Sequence, residues 1–573
     1  MIKKIYIPLF TLAIVMLVCS CGKAFLEAKP QGALSQSQLQ NMQGVEAALI
    51  GAYGIMNGNI SGTWGNYSSG PSQWLYGEVG SDNAHKGSNS PDQSFMSEIE
   101  LHKVTASNDN LPTMWRVYYE GVNRCNNTLR LLAAVQAGSG AKFSGDRATQ
   151  IAAEAKMLRG HYYFFLARVF KNIPYIDETM TTAQAAQVKN DKDVFPMIEA
   201  DFKAARDGLP QDYSKPLGDV GRSDKYAAEA YLGKLYLYQK KYSDALTLFQ
   251  DVIAHKPKLT TLAFDANFNI KTKNGAEGIF VVQCKINADG SGDNADVGDM
   301  LAGLYGPAPG GCCGFFQPSV DLVNAFKVNA AGLPYLDGSY RNNPYISDQA
   351  NIAATNYKVD TTIAFDPRFD YTVGRRQVAY RDWGILQPTW IRDQVFAGPF
   401  VAVKQTINQA DFSGNVATGA NYLTAQNINI IRLSDVYLMA AECAVETNAL
   451  NVALDYVNAV RTRAANLAPV KTAYGNPAAN YTISNYPAFP TQQYARDAVR
   501  FERRLELALE GHRYYDLVRW GTAQTVLQSY LNYEKTYVSA SQASGAMTYP
   551  DWDKGMPIPQ EQIDRANGIL KQN

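Results

Sequence analysis

Three glutamates, Glu502, Glu506 and Glu510, stand four residues apart in VRFERRLELALEGHRYYDLVRWG (499–521). On a helix this spacing puts the three carboxylates on one face, where like charges repel. They therefore require cations, either a metal ion or arginines of another helix. A di-metal carboxylate centre would use Glu-x-x-His. Three residues after Glu510 stands Arg513, so that pattern fails. Arg500, Arg503, Arg504, Arg513, Asp516 and Arg519 crowd the same stretch. Guanidinium forks bridging carboxylates between packed helices account for all of them. The stretch therefore reads as structural ion pairing and not as a catalytic centre. Phe501, Leu505, Ala508 and His512 recur at helical spacing as a buried stripe, and Gly511 is expected at the turn between the last two helices.

Other chemistry-bearing patterns are sparse. The chain has no Walker A loop, no H-E-x-x-H, no G-x-S-x-G and no C-x-x-C, and its five histidines form no ligand-spaced pair. No cofactor is implied, and a structural calcium is left open. The 53 acids always allow some pair at the separation that glycoside hydrolysis needs, so a carboxylate pair says nothing by itself. Aromatics in irregular stretches are more informative. GTWGNYSSGPSQWLYGEVGSDNAHKG (62–87) holds Trp64, Tyr67, Trp74 and Tyr76, followed by Asp82 and Asn83. Tyr305 lies in GLYGPAPGGCCGFF (303–316), and Trp383 and Trp390 lie in YRDWGILQPTW (380–390). Rings outside a helical stripe, beside carboxylates and amides, suit sugar recognition: the apolar pyranose face stacks and the hydroxyls are hydrogen-bonded. Trp74, Tyr76, Asp82, Asn83, Tyr305, Trp383 and Trp390 are the ligand-binding candidates.

The elements that must position these residues are mostly helical. Helical periodicity recurs near 37–57, 113–137, 147–170, 193–208, 223–239, 242–255, 427–447, 449–465, 492–511 and 513–532. This gives helix pairs at about 113–170, 193–255, 427–465 and 492–532. Between them, 58–112 and 257–426 are rich in Gly, Pro, Asn and aromatics and read as loop-rich, ligand-facing segments; 466–490 is similar. Strand-like pieces are GIFVVQC (278–284) and FVAVKQ (400–405). Leu232-Gly233, Tyr236, Ala245, Phe249 and Pro257 follow the tetratricopeptide spacing, with Glu229 where that repeat usually has Trp. A second unit at 431–463 places Ala440, Ala441, Ala453 and Val457 equivalently. The expected fold is mainly α: a tetratricopeptide-like, right-handed helical superhelix with long irregular loops and minor β.

Lys+Arg and Asp+Glu are equal at 53 each, so nothing in the charge argues for nucleic acid. Lys3 and Lys4 precede an apolar run from Ile5 to Val18 that ends in VCSC. This reads as a lipoprotein signal peptide, 1–20, with Cys21 lipidated and 21–36 as the tether to a single domain, 37–573. Cys125, Cys284, Cys312, Cys313 and Cys443 do not form a disulfide framework. GGCCG (310–314) could form a vicinal disulfide, but adjacent Cα atoms sit about 3.8 Å apart, short for that bond, so small residues of a Gly-rich loop are the preferred reading of Cys312 and Cys313.

Several stretches together resemble the SusD/RagB family of surface nutrient-binding lipoproteins, over essentially the whole chain. They are the lipobox with FLEAKPQGALS (25–35), AEAKMLRGHYYFFLARVFKNIPYI (153–176), AAEAYLGKLYLYQKKYSDALTLFQDVI (227–253), AFDPRFDYTV (364–373), IRLSDVYLMAAECAVE (431–446), the 499–521 stretch and MPIPQEQID (556–564). The sequence departs from the family after the lipid cysteine, where Gly22-Lys23-Ala24 intervene before Phe-Leu. The resemblance implies a non-catalytic protein, lipid-anchored at the outer membrane and facing the cell exterior. It would capture oligosaccharides and deliver them to a SusC-like TonB-dependent receptor. It also implies that Asp82 contacts ligand and that the 300–390 aromatics supply stacking rings. Peptide capture on the same scaffold is the alternative, and a surface hydrolase a more distant one.

Overall fold

The computed structural model describes residues 36–60, 66–211, 220–306, 308–345, 357–539 and 555–573. The leader 1–20, Cys21, the tether apart from Gln36, and Trp64 lie outside the described residues.

The core is a stack of helices in chain order. Met42–Gly54 begins where the Asn41 side chain accepts from the Gly44 amide. Asp224 caps Lys225–Tyr238 and Thr491 caps Gln492–Glu506 in the same way. Asn110–Ala137 packs on Met42–Gly54 and on Arg147–Phe170, which in turn packs on Phe195–Gly208. Lys225–Tyr238 and Tyr242–His255 form the tetratricopeptide-like pair. A Cβ on Gly233 would lie 2.6 Å from the Phe249 ring, so glycine is required for the two helices to cross this closely. The stack continues through Leu433–Glu446, Leu450–Ala464 and Gln492–Glu506. Ala440, Ala441, Ala453 and Val457 are buried in it, as the second repeat-like unit requires. The fold is mainly α and tetratricopeptide-like.

Short two-stranded ribbons tie the loop segments to this stack. Ala84–Gly87 pairs antiparallel with Phe315–Pro318. Gly278–Val282 pairs antiparallel with Ile428–Arg432, and Val373–Gly374 with Val401–Ala402. The 257–426 block also carries small cores of its own. One joins Leu304, Tyr380, Leu386, Ile391, Val401 and Val403, with Trp383 and Trp390 packed on it. Another joins Ile270, Ile407 and Ala425, with Phe412 on its flank.

Four expectations are corrected. The helical pattern at 427–447 begins as the strand Ile428–Arg432, because its first residues pair with Gly278–Val282 before the helix opens at Leu433. The helix read to 511 ends at Glu506, and Leu509 and Gly511 turn the chain with positive φ. A Cβ on Gly511 would overlap the Ser72 carbonyl at 1.7 Å, so the turn it marks is also a close contact. The helix read over 513–532 is two, Arg513–Arg519 and Ala523–Glu534, broken at Gly521 with φ 69°. Finally, Cys312 and Cys313 are joined as a vicinal disulfide, while Cys125, Cys284 and Cys443 are free and buried.

Candidate functional site

The acidic ladder is buried and fully countered, and its cations come from elsewhere in the chain. Glu502 faces Arg368 at 2.7 Å and Arg461 at 2.8 Å. Glu506 meets Arg368 at 3.0 Å, Arg432 at 2.7 Å and also Arg463. Glu510 meets Lys404 at 2.6 Å and Arg432 at 2.7 Å. A fourth acid, Glu277, bridges Arg432 and Arg463 from the other side. The arginines of the ladder's own stretch point away from it. Arg503 binds Asp435 and Asp516, Arg504 binds Asp82 and Asp321, and Arg519 binds Glu442 and Asp516. Burial alone would push these carboxyls up, but the clustered guanidiniums hold Glu506 and Asp82 well below the usual carboxylate range.

Above one end of this lattice lies a recess. Its apolar wall is Phe268, Met300, Trp383, Ile407, Phe412 and Tyr422; its polar wall is Asn267, Gln405, Thr406, Gln426, Asn427 and Asn429. It encloses about 890 Å³, including its open mouth. Leu509 and Glu510 reach its lining from the ladder. The recess opens onto a shallow shelf formed by Pro309, Gly310, Trp383, Trp390, Gln409, Phe412 and Ser413. Trp383 and Phe412 serve both. Their rings meet edge to face at 5.3 Å, and the Trp383 indole donates to the Ile407 carbonyl at 2.8 Å. Trp390 stands edge-on to Tyr380 at 5.8 Å, and the Tyr380 hydroxyl is held by the Ala402 carbonyl at 2.6 Å. Both indoles are half-buried, fixed from below with one side towards the groove. Such anchored rings are preorganised for stacking.

The charged side chains lining the recess are Asp296, Asp299, Lys404 and Glu510. Asp296 accepts from the Thr424 amide at 2.5 Å and from its hydroxyl at 2.7 Å. Asp299 accepts from the Ser72 hydroxyl at 2.7 Å. No cation pairs with either in this lining, and burial pushes Asp296 up to about 7 and Asp299, with Asp296 beside it, up to about 8. Lys404 donates to the Ala508 carbonyl at 2.9 Å as well as to Glu510, and burial lowers its affinity for its proton. Among the described residues no group of three or more His, Cys, Asp or Glu side chains is arranged to hold a metal ion.

The candidates divide by location. Trp383 and Trp390 line the groove. Tyr305 lines neither recess nor shelf; its amide donates to the Trp390 carbonyl at 3.0 Å and Arg392 lies over its ring at 5.4 Å, so it supports Trp390 from behind. The four candidates of the 58–112 segment are a correction, since Ser72 alone of 66–88 is not buried. Trp74 is 1% exposed, packs on Phe316 and donates to the Gly298 carbonyl. The Tyr76 hydroxyl donates to the Asn110 carbonyl at 3.2 Å. Asn83 is held by Glu78 and Arg504. Asp82 is clamped by Arg513 at 2.7 Å and Arg504 at 3.1 Å, which leaves it no face for a ligand. This segment reads as a polar loop because Asp82 and Asn83 are counted as solvated, when the arginines that hold them lie more than 400 residues later. Sequence reasoning missed Phe412, Asp296, Asp299 and the amides of 405–429. Phe412 stands alone in a polar stretch, and no local spacing links it to Trp383.

Comparison with known proteins gives a consistent picture. A model described as the SusD family matches residues 276–573, and one described as starch-binding associating with outer membrane matches 24–237. SusD-like protein P25 of Formosa agariphila is 24% identical over 538 residues, covering 90% of each chain. A laminarin binding SusD-like protein superimposes with TM-score 0.66 at 23% identity, over 93% of this chain and 99% of that one. Surface glycan-binding protein A from Bacteroides thetaiotaomicron, in complex with laminarihexaose, does so with TM-score 0.64 at 18% identity, over 93% and 99%.

Proposed function

Because the chain belongs to the SusD family, we propose that it captures oligosaccharides in the groove formed by Trp383, Trp390 and Phe412 and the recess beside it. The observation that carries this reading is the pairing of anchored rings with an amide-lined wall in one open depression. Rings take the apolar faces of pyranoses, while amides and hydroxyls such as Asn427, Gln426 and Thr406 both donate to and accept from sugar hydroxyls. The laminarin and laminarihexaose of the two structural relatives are ligands of this chemical kind.

The same family membership supports anchoring through Cys21 at the outer membrane, on its outer side, and delivery to a SusC-like TonB-dependent importer. The reading is of binding without catalysis. In the recess, the two acids with raised proton affinity are engaged by this chain's own donors, Asp296 by the Thr424 amide and hydroxyl and Asp299 by the Ser72 hydroxyl, and no motif for a nucleophile accompanies them.

Calorimetric titration of the purified protein with a panel of oligosaccharides tests the proposal. Saturable binding that leaves the sugar intact, and that Trp383→Ala weakens, is the expected result. Absence of binding across the panel, with capture of peptides from a random library, would replace the glycan by a peptide.

A further inference from the structure

We propose that the recess selects uncharged sugar residues and rejects uronate or sulfated ones, through Asp296 and Asp299. This deepens the glycan reading above and rests on it.

Four charged side chains line the recess, three acids and one cation. The cation is already matched: Lys404 sits 2.6 Å from Glu510, and Glu510 is further held by Arg432 at 2.7 Å from behind. Asp296 and Asp299 have no cation among the lining residues, only the Thr424 and Ser72 donors. A neutral pyranose meets them as hydroxyl donors to carboxylate acceptors, which is favourable whether each acid is ionised or protonated. Once Asp296 and Asp299 are ionised, a carboxylate or sulfate on the sugar meets like charge in a partly desolvated space, where the repulsion is large. An anion site is built the opposite way, with an unmatched arginine or lysine facing the ligand.

The remaining charged groups at the border do not reverse this balance. The Lys273 ammonium donates to the Cys284 and Ala425 carbonyls. Arg381 donates to the Val403 carbonyl, and Asp382 beside it accepts the Gln409 and Ala410 amides. Lys271 is paired with Asp411 at 2.7 Å. Each cation is engaged outside the recess lining.

The test compares laminari-, cello-, malto- and manno-hexaose with hexa-galacturonate and hexa-mannuronate, by calorimetry on the wild type and on Asp296→Asn/Asp299→Asn. At pH 9, where both acids are ionised, the wild type is expected to bind at least one neutral probe and to disfavour the uronates. The double variant should raise the ratio of uronate to neutral affinity by about fivefold or more. A pH series on the wild type keeps the test open if the variant does not fold. The ratio should fall from pH 6 to pH 9 as Asp296, near 7, and Asp299, near 8, ionise. Any loss of the Lys404 proton at the alkaline end acts in the same direction. Uronate bound as tightly as the neutral probes, and lost in Trp383→Ala, would overturn the selection while leaving glycan capture standing. A ratio unmoved by both the variant and pH would also overturn it. No binding of any probe would defeat the glycan reading itself, and the selection with it.

Discussion

Arg513 and Asp82 stand 431 positions apart in the chain and 2.7 Å apart in the fold. The resemblance points to Asp82 as a ligand contact; the structure makes it the anchor of the final helices on the first loop segment. Arg504 completes the clamp, and Glu78 reinforces it by accepting the Gly511 and His512 amides.

Arg513→Ala should therefore lower stability and leave ligand affinity within about twofold, because the clamp lies outside the recess lining. With Arg504 still facing Asp82, the cost should be about 2 kcal/mol, below the ~3–5 kcal/mol of a buried charge stripped of its partner. Urea unfolding measures the first and calorimetry the second. An unchanged midpoint with lost binding would return Asp82 to the ligand site.

Removal of Arg432 should cost more. It faces Glu277, Glu506 and Glu510 at once, so Arg432→Met leaves three buried acids short of a cation. A loss of about 3–5 kcal/mol or failure to fold is expected. Partial recovery in Arg432→Met/Glu506→Gln would show that the unmatched charge, and not the lost packing, is the cause.

Among the indoles, position decides the outcome. Trp383→Ala should weaken glycan binding about tenfold or more with a modest stability change, since the ring is half-buried at the groove. Trp74→Ala should instead destabilise by about 3–5 kcal/mol, as for a large aromatic removed from a core. Phe412→Ala should follow Trp383→Ala in the binding assay.

Stability should also carry a pH signature. Asp296 and Asp299 hold their protons more tightly folded, near 7 and 8, than unfolded, near 3.8. The folded state then binds more protons between about pH 4 and 8, so these two groups make stability fall as pH rises through that window. His85, held by Glu100 at 2.7 Å and Glu534 at 2.9 Å, is raised to about 10. Its contribution is full below about 6.5 and is lost as pH rises through 10. Asp82 and Glu506 act oppositely, adding stability above their unfolded values that is lost on acidification. Asp299→Asn should flatten the decline between pH 6 and 8 in unfolding curves and leave the acid limb in place.

Much of the scaffold was legible because its rules are local. Helical periodicity, the Gly233 and Phe249 crossing and the like-charged spacing of Glu502, Glu506 and Glu510 are written within a few turns of chain. The demand for arginines from another helix followed from Coulomb repulsion alone, and Arg461 and Arg463 of Leu450–Ala464 meet part of it. Which arginines answer was not legible, since Arg368, Arg432 and Lys404 arrive from loop and strand segments.

Residue spacing and motifs suffice to specify a helical, repeat-like scaffold of the SusD family with aromatic-rich insertions and a structural acid ladder. Which insertions face solvent is set by long-range packing. Trp74 and Trp383 both sit in irregular stretches among polar residues, yet one fills a core and the other lines a groove. The difference is made by partners distant in sequence: Arg504 and Arg513 neutralise Asp82 and let its segment be buried, while Trp383, held by the Ile407 carbonyl and the Phe412 ring, keeps one side at the groove. Burial of a polar segment needs counterions or hydrogen-bond donors for its carboxylates, and those partners come together only once the chain has folded.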